Sequence, residues 1–127
     1  MTPKVLVTRV LPDPVLQAAR AKFDVTVRDS TAPMTEDDCV AALEGYDAIL
    51  PTLGDAFRAS AFARVPQPRA RLLANFGVGY NHIDVAAAKA AGVAVTNTPG
   101  AVTDATADIA LTLILMAARR AGEGERL

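Results

Sequence analysis

The sequence predicts an α/β fold, with a flavodoxin-like, doubly wound parallel five-stranded sheet in a single domain. Three observations support this class. Strand and helix patterns alternate five times along the chain, the strand segments are apolar and β-branched, and no linker or low-complexity tract interrupts them. The 127 residues suffice for one domain with its own core. Because crossovers between parallel strands are right-handed, few topologies other than the doubly wound one remain.

Each predicted strand is short and ends at a residue or turn that breaks strand structure. The five segments are Lys4–Val10, Asp24–Arg28, Ala48–Leu50, Arg71–Phe76 and Val93–Thr96. Their apolar, β-branched character is typical of strands buried within a sheet. Pro12, Pro51 and Gly77 follow three of them and stop the strand pattern.

Helix start and stop signals separate the strands. The predicted helices begin at Asp13, Thr35, Asp55, Ile83 and Thr103 and end near Phe23, Gly45, Arg64, Ala91 and Arg120. Asp13 is predicted to cap the first helix, with Pro14 in its first turn and an apolar face of Val15, Leu16, Ala19 and Phe23. Thr35 and Asp38 have the spacing of a capping box, and Gly45 and Gly92 are expected to terminate helices, Gly45 in the left-handed conformation.

The helix predicted from Thr103 to Arg120 differs from the others. Its apolar side chains surround the whole circumference, so the helix needs cover on every side. One sheet covers only one face, which leaves the other face for a second domain or a second copy of the chain. We therefore divide the chain into a domain at residues 1–102 and a connector helix with a tail at residues 103–127. From the apolar helix we predict a homodimer, for which Asn97–Val102 is a candidate hinge.

Composition excludes several classes of function. A formal net charge of −1 provides no basic surface for nucleic acid. No stretch approaches the roughly 20 apolar residues of a membrane span, and the first residues lack signal-peptide features. The single cysteine, Cys39, lies on the same helix face as Leu43, so we interpret it as a buried packing thiol. One unpaired cysteine fits a cytoplasmic protein.

A glycine-rich turn, Gly77–His82, follows a strand and precedes a helix. It is not the dinucleotide-binding fingerprint, because His82 stands where the third glycine is needed and no acidic residue ends the next strand. Two glycines nevertheless permit a sharp turn that presents backbone N–H groups to a small anion. A carboxylate would suit such a nest as well as a phosphate would. A tight turn that binds nothing is the alternative on spacing alone.

His82 is the only histidine in the chain. It has no neighbouring histidine or cysteine at metal-ligand spacing, so we predict no metal site. Asp84 is its only close acid in sequence, and side chains two positions apart on a helix do not face each other. We therefore interpret His82 as a structural or surface residue and not as a general base.

Three segments in order, Asn75–Asp84, Gly92–Gly100 and Thr103–Asp108, strongly resemble the D-2-hydroxyacid dehydrogenases. The resemblance covers about Leu72 to Arg120 and is greatest for the glyoxylate/hydroxypyruvate reductase (glycerate dehydrogenase) branch. Residues 1–70 match only in the rhythm of strands and helices. The resemblance implies a substrate-binding half of an enzyme whose substrate lies in the cleft between two α/β domains.

The same resemblance implies roles for particular residues. The backbone amides of Val78 and Gly79 would hold the carboxylate of a 2-oxoacid, and Thr106 matches a position that can lie near the cofactor. NAD or NADP would be the cofactor of the parent enzyme, with none bound tightly to this chain. The nucleotide-binding domain and the arginine, glutamate and histidine of the family's catalytic set are expected to lie outside the chain. We therefore assign no catalytic residue and predict that the chain alone is inactive.

Two other readings compete with an enzyme half. The first is a stand-alone flavodoxin-like module that binds a ligand or partner, although such a module should carry polar residues on the outer face of its last helix. The second is a response-regulator-like signalling domain, which needs acidic residues at the end of the first strand, where Thr8 and Arg9 stand.

Overall fold

A computed structural model describes residues 1–126 and contains a five-stranded, all-parallel sheet. The strands are β1 (Lys4–Val7), β2 (Asp24–Val27), β3 (Ala48–Leu50), β4 (Leu72–Ala74) and β5 (Ala94–Thr96). Their order in the sheet is β2-β1-β3-β4-β5. From β1 the chain first adds β2 on one side. It then crosses back and adds β3, β4 and β5 in turn on the other side. This arrangement confirms the predicted doubly wound, flavodoxin-like class.

Six helices alternate with or follow the strands. They are α1 (Asp13–Arg20), α2 (Glu36–Gly45), α3 (Ala59–Arg64), α4 (Val85–Ala90), α5 (Thr103–Ala118) and α6 (Ala121–Gly124). Helices α2, α3 and α4 pack side by side, as right-handed crossovers with one reversal of direction require. The main core therefore lies between the sheet and these three helices.

The centre of the core is formed by the middle strands. Ile49 of β3 pairs in register with Leu6 of β1 and Leu73 of β4, and Ile49 and Leu73 are fully buried. Cys39 and Leu43 of α2 pack in the same cluster, also without exposure. The interpretation of Cys39 as a packing thiol is therefore confirmed. Burying each such aliphatic side chain stabilises the fold by roughly 1.5–3 kcal/mol.

The first strand and helix differ from the prediction in three respects. Strand β1 ends at Val7 and not at Val10. Pro12, not Asp13, occupies the N-cap of α1, so Asp13 lies in the first turn without a capping bond. Of the predicted apolar face, only Leu16 is buried, while Val15 and Phe23 are exposed. A periodic apolar pattern predicts which side chains share one face of a helix. Contacts with the rest of the protein determine which of them are buried.

Tertiary contacts also move the start of α3. The helix begins at Ala59 and not at Asp55, because the Asp55 side chain is engaged by residues from two other loops. Phe57 forms a parallel β-bridge with Ile83 and is fully buried. These contacts hold residues 55–58 in a non-helical conformation. The next helix, α4, begins at Val85 and not at Ile83, for the related reason that Ile83 is part of the bridge.

The predicted end signals have mixed outcomes. The Thr35–Asp38 capping box is present, with Asp38 N–H donating to Thr35 Oγ1 and Thr35 N–H donating to Asp38 Oδ2. Gly92 follows the end of α4, as predicted, and has a left-handed conformation with φ of 75°. Gly45 ends α2 but is not among the left-handed glycines of residues 1–126, so that prediction was wrong. Tyr46 continues directly in an extended conformation.

Helix α5 extends away from the sheet, and none of its residues is buried. The prediction that one of its faces would pack on the sheet was therefore wrong, while the prediction of apolar residues on all sides holds. Thr103 does not cap the helix: Val102 is the N-cap residue and makes no side-chain capping bond. The helix ends at Ala118, before the predicted Arg120, because Arg120 adopts a left-handed conformation with φ of 51°.

Candidate functional site

A cleft of about 560 Å³ lies at the carboxyl ends of the parallel strands. Its walls come from the segments after β1, β3, β4 and β5, namely Arg9–Leu11, Thr52–Gly54, Phe76–Val78 and Thr98, together with Ala101 and Val102. Strands β1 and β3 are neighbours in the sheet. After β1 the chain crosses to β2 on one side of this pair, whereas after β3 it crosses to β4 on the other side. Such a topological switch point opens the crevice in which α/β proteins bind ligands. The cleft is therefore the candidate site.

The turn at Gly77–Gly79 has its carbonyl groups occupied within the protein. The Gly77 carbonyl accepts from Thr98 N–H at 3.0 Å and from Asn75 Nδ2 at 3.2 Å. The Val78 carbonyl accepts from Asn97 Nδ2 at 2.9 Å, and the Gly79 carbonyl accepts from Asn75 Nδ2 at the same distance. Two asparagine side chains thus hold all three carbonyls.

The corresponding amide groups have no such partners. In residues 1–126, no internal hydrogen bond is donated by the N–H of Val78 or Gly79. Each peptide in the chain is trans, so its N–H points opposite to its carbonyl. Since the carbonyls of Gly77 and Val78 bond inside the turn, the N–H groups of Val78 and Gly79 point away from those partners. The turn therefore presents two adjacent, unpaired donors, which is the geometry that binds a small anion.

The two glycines of the turn serve different purposes. Gly77 has φ of 145°, a conformation that other residues rarely adopt. Leu53 Cδ2 would also lie 3.7 Å from a Cβ at Gly77, so the cleft wall contacts this residue closely. Gly79 has no atom within 4 Å of its Cβ direction, which leaves open space beside its N–H. The first glycine shapes the turn and the second keeps it accessible.

His82 supports this turn from behind. Its Nε2 lies 2.8 Å from Asn75 Oδ1. Because the Asn75 amide nitrogen already donates to two carbonyls, its oxygen must accept, and His82 therefore carries its proton on Nε2. Burial lowers the pKa of His82, with the Asp55 charge opposing and the Arg58 charge adding to that effect. The geometry favours a structural His82 that orients Asn75.

Thr106 lies near the same turn. It lines a second cavity, of about 410 Å³, together with Val78, Thr98 and Val102. The two cavities share these three residues, so Thr106 lies near the turn at Gly77–Gly79. The face of α5 toward this cavity carries small side chains, whereas its large apolar side chains lie elsewhere on the helix.

Asp55 and Arg9 are site residues that sequence reasoning missed. The sequence predicts Asp55 at the start of a helix, and no sequence pattern indicates a role for Arg9 in a cleft. In the structure, Asp55 is fully buried beneath the cleft and Arg9 lines the cleft. A usable signal was present: Thr52 and Asp55 have the same spacing as the capping pair Thr35 and Asp38, and Thr52 N–H donates to Asp55 Oδ2 at 2.9 Å.

The described residues do not form a dinucleotide site. The turn at Gly77–His82 lacks the third glycine, and β5 ends at Thr96 without an acid to hold a ribose. Within residues 1–126 no cluster of three potential metal-ligating side chains is found. No helix in that range has the length and hydropathy of a membrane span.

Comparison with known proteins gives a consistent result. Residues 5–121 match the family model described as D-isomer specific 2-hydroxyacid dehydrogenase, catalytic domain. The chain is 38% identical over 124 residues to a glycerate dehydrogenase of Hyphomicrobium methylovorum, covering 98% of this chain and 38% of the relative. It is 36% identical over 126 residues to a glyoxylate reductase of Korarchaeum cryptofilum, covering 99% and 37%.

Structural similarity leads to the same family. A crystal structure from Polaromonas, described as an NAD-binding D-isomer specific 2-hydroxyacid dehydrogenase, superposes with a TM-score of 0.83 and 31% identity. The match covers 99% of this chain and 39% of that one, so the chain spans less than half the length of the proteins it resembles. The family model covers most of the chain, and the chain therefore belongs to the D-isomer specific 2-hydroxyacid dehydrogenase family, of which it represents the catalytic, substrate-binding domain.

Proposed function

We propose that the chain is the substrate-binding part of an NAD(P)-dependent dehydrogenase that reduces a 2-oxoacid, such as glyoxylate or hydroxypyruvate, to a D-2-hydroxyacid. The observation that carries the proposal is the pair of unpaired N–H groups at Val78 and Gly79, beside a cleft at the carboxyl ends of the strands. A 2-oxoacid has a carboxylate that accepts from both amides. Its remaining atoms would lie against the cleft wall that Leu53 and Phe76 provide.

The proposal assigns binding to this chain and assigns no catalytic residue to it. Reduction of a 2-oxoacid requires a hydride donor, which NAD(P)H supplies, and a proton donor near the carbonyl oxygen. His82 does not suit the second role because Asn75 already accepts from its Nε2 proton. We expect the isolated chain to show no turnover of NADH or NADPH with glyoxylate or hydroxypyruvate. Cofactor oxidation by the pure chain in an absorbance assay would contradict this division of roles.

A titration with oxalate tests the binding site. Oxalate resembles a 2-oxoacid in shape and carries carboxylates that accept from paired N–H groups. We expect weak binding, with amide chemical-shift changes centred on Gly77–Tyr80 in ¹⁵N spectra. Oxamide, which has a similar shape but no charge, should produce much smaller changes. Shifts that cluster away from this turn, or equal responses to both compounds, would contradict the assignment.

Thr106 is proposed to lie near the cofactor in the parent enzyme. Its support is its position on the cavity that adjoins Val78 and Thr98. The isolated chain should bind NADH only weakly, since no fingerprint for the pyrophosphate is present among the described residues. Titration with NADH at millimolar concentration should shift the amides of Thr106 and Val78, and the response should decrease in Thr106→Val. Shifts confined to other residues would remove Thr106 from the proposed site.

We also propose that the chain forms a homodimer through α5, with Asn97–Val102 as a hinge if the helix is exchanged. Support comes from the six large apolar side chains that α5 exposes: Ile109, Leu111, Leu113, Ile114, Leu115 and Met116. Burial of three or four of them would offset the entropic cost of association.

A cytoplasmic location completes the proposal, and the free Cys39 thiol suits a reducing compartment. Cell fractionation would test the location.

A further inference from the structure

Beneath the candidate cleft lies a buried carboxylate whose hydrogen bonds join three loops. Asp55 has no exposed surface and accepts from four donors. Thr8 Oγ1 donates at 2.5 Å, Thr52 N–H at 2.9 Å, Met34 N–H at 3.1 Å and Thr52 Oγ1 at 3.2 Å. These donors lie after β1, after β3 and before α2. A single side chain thus connects the carboxyl-end segments of two neighbouring strands with a third loop.

Arg9 extends this network to the surface of the cleft. Its Nε donates to Thr52 Oγ1 at 2.7 Å and its Nη1 donates to the Thr31 carbonyl at 2.5 Å. Its Nη2 would lie 3.0 Å from a Cβ at Gly54, so the guanidinium rests directly on that glycine. Thr52 is therefore held by Asp55 from below and by Arg9 from the side. Arg9 and Asp55 thus fix the backbone on the amino-terminal side of Leu53 through their hydrogen bonds to Thr52.

That segment in turn contacts the anion-binding turn. Leu53 lies between Thr52 and Gly54, and its Cδ2 would be in ordinary van der Waals contact, at 3.7 Å, with a Cβ placed on Gly77. In addition, Phe76 N–H donates to the Pro51 carbonyl at 2.9 Å. The position of Leu53 thus limits where Gly77 and the following amides can lie. Hydrogen bonds thus lead from the buried carboxylate to Thr52, and from its neighbour Pro51 to Phe76, two residues before Val78.

We propose that Asp55 is a positioning residue, which holds Leu53 against Gly77 and so sets the geometry of the Val78–Gly79 amides that bind the 2-oxoacid carboxylate. This inference rests on the proposed function, because it assumes that the amides are the binding groups. It adds a residue that contacts neither substrate nor cofactor. Its effect is transmitted through Thr52 and Leu53.

The negative charge of Asp55 is necessary to this role. All four contacts are donors, so an acceptor-only group satisfies them, while an asparagine would place its own N–H₂ against at least one donor. Burial by itself would raise the pKa of Asp55, but the hydrogen bonds from Thr8, Thr52 and Met34 outweigh it and lower that pKa below the ordinary value. The carboxylate is therefore ionised near neutral pH.

Asp55→Asn is the direct test, with two readouts on the 127-residue chain. The first is the oxalate dissociation constant from amide shifts at Gly77–Tyr80, which we expect to rise at least about fivefold. The second needs no ligand: the nuclear Overhauser contact between the Leu53 methyls and Gly77 should weaken, and the Val78 and Gly79 amide resonances should move.

Further variants guard against simple unfolding. Thr8→Val removes one donor with little change in shape and should weaken oxalate binding, whereas Thr8→Ser keeps the hydroxyl and should restore most of the affinity. Val93→Ala is the matched control, because Val93 is buried just before the start of β5, at the amino ends of the strands and therefore away from the cleft. It should lower the melting temperature and leave both oxalate affinity and the Leu53–Gly77 contact unchanged.

The outcomes separate this inference from the function on which it rests. If wild type fails to bind oxalate at Gly77–Tyr80, the proposed function fails. The positioning role of Asp55 is then tested only by the nuclear Overhauser contact between the Leu53 methyls and Gly77. If folded Asp55→Asn and Thr8→Val keep that contact and bind oxalate like wild type, Asp55 only stabilises the fold. Equal loss of affinity in Val93→Ala would likewise overturn the inference, since general destabilisation would then explain the effect.

Discussion

The five-stranded sheet with its packed helices α2, α3 and α4, here called the body, contains apolar side chains similar to those of helix α5. The two regions place these side chains in opposite environments. Ile49 and Leu73 in the central strands are fully buried, whereas Ile109 and Leu113 in α5 are 61% and 59% exposed. Both regions have well-formed secondary structure, so backbone hydrogen bonding does not explain the difference. The body buries its own apolar side chains beneath α2, α3 and α4, while the rest of residues 1–126 buries no residue of α5. The apolar composition of a segment indicates that burial of its side chains would be favourable, but it does not identify the segment or partner that buries them.

The largest expected effect contrasts truncation in the two regions. Ile49→Ala should destabilise the chain by about 2–5 kcal/mol, because it leaves a cavity among close-packed side chains. Leu113→Ala, measured at a concentration where the chain is monomeric, should change the free energy of unfolding by less than about 0.5 kcal/mol. Urea denaturation followed by circular dichroism measures both. A comparable loss at Leu113 would show that α5 packs on the body in solution.

The second effect concerns association through α5. Leu113→Glu or Leu115→Glu should remove the proposed dimer, since either change places a charge on the apolar surface. Loss of one buried side chain, worth roughly 1.5–3 kcal/mol, corresponds to a rise in the dissociation constant of about tenfold or more. Multi-angle light scattering measures the mass. Thr112→Glu adds the same charge at a polar position and serves as the control.

A monomer at high concentration, with α5 ordered, would contradict the dimer. The stand-alone module would then become the better interpretation of the chain.

The third effect uses the buried carboxylate of the body. The folded-state pKa of Asp55 is lowered, so the unfolded chain binds a proton more readily as the pH falls through about 4. The stabilisation from Asp55 is therefore complete above its unfolded pKa and decreases as the pH drops toward the folded pKa. Melting temperatures between pH 3 and pH 7 should show a steeper acid dependence in wild type than in Asp55→Asn. Parallel curves would contradict this contribution.

The smallest effect is a difference in thiol reactivity. Burial raises the pKa of Cys39 to about 12, with further contributions from the negative charges of Asp55, Asp38 and Glu36. The reactive thiolate is therefore scarce at pH 8, and alkylation by iodoacetamide should be slow until urea unfolds the body. A cysteine introduced at Thr112 of α5 should react rapidly under the same conditions. Rapid modification of native Cys39 would show that the body opens locally.

Much of the site could be predicted from local sequence. The spacing of Gly77 and Gly79 after a strand predicted a turn with free amides, and the resemblance assigned Val78 and Gly79 to a carboxylate. The full environment of Asp55 could not be predicted in the same way, because two of its four donors come from segments 47 and 21 residues away. Its local sequence matches a helix start. It becomes a buried hydrogen-bond acceptor only because three loops come together around it.

From the sequence alone we could predict the order of strands and helices, the parallel sheet and the glycine turn at Gly77–Gly79, since these depend on periodicity and on backbone preferences within short segments. The tertiary structure was needed to show where α3 begins, how His82 orients Asn75 and that no face of α5 is buried. Each of those features depends on contacts between segments distant in the chain. The free energy of such contacts comes from burial and hydrogen bonding in three dimensions, which no local pattern records.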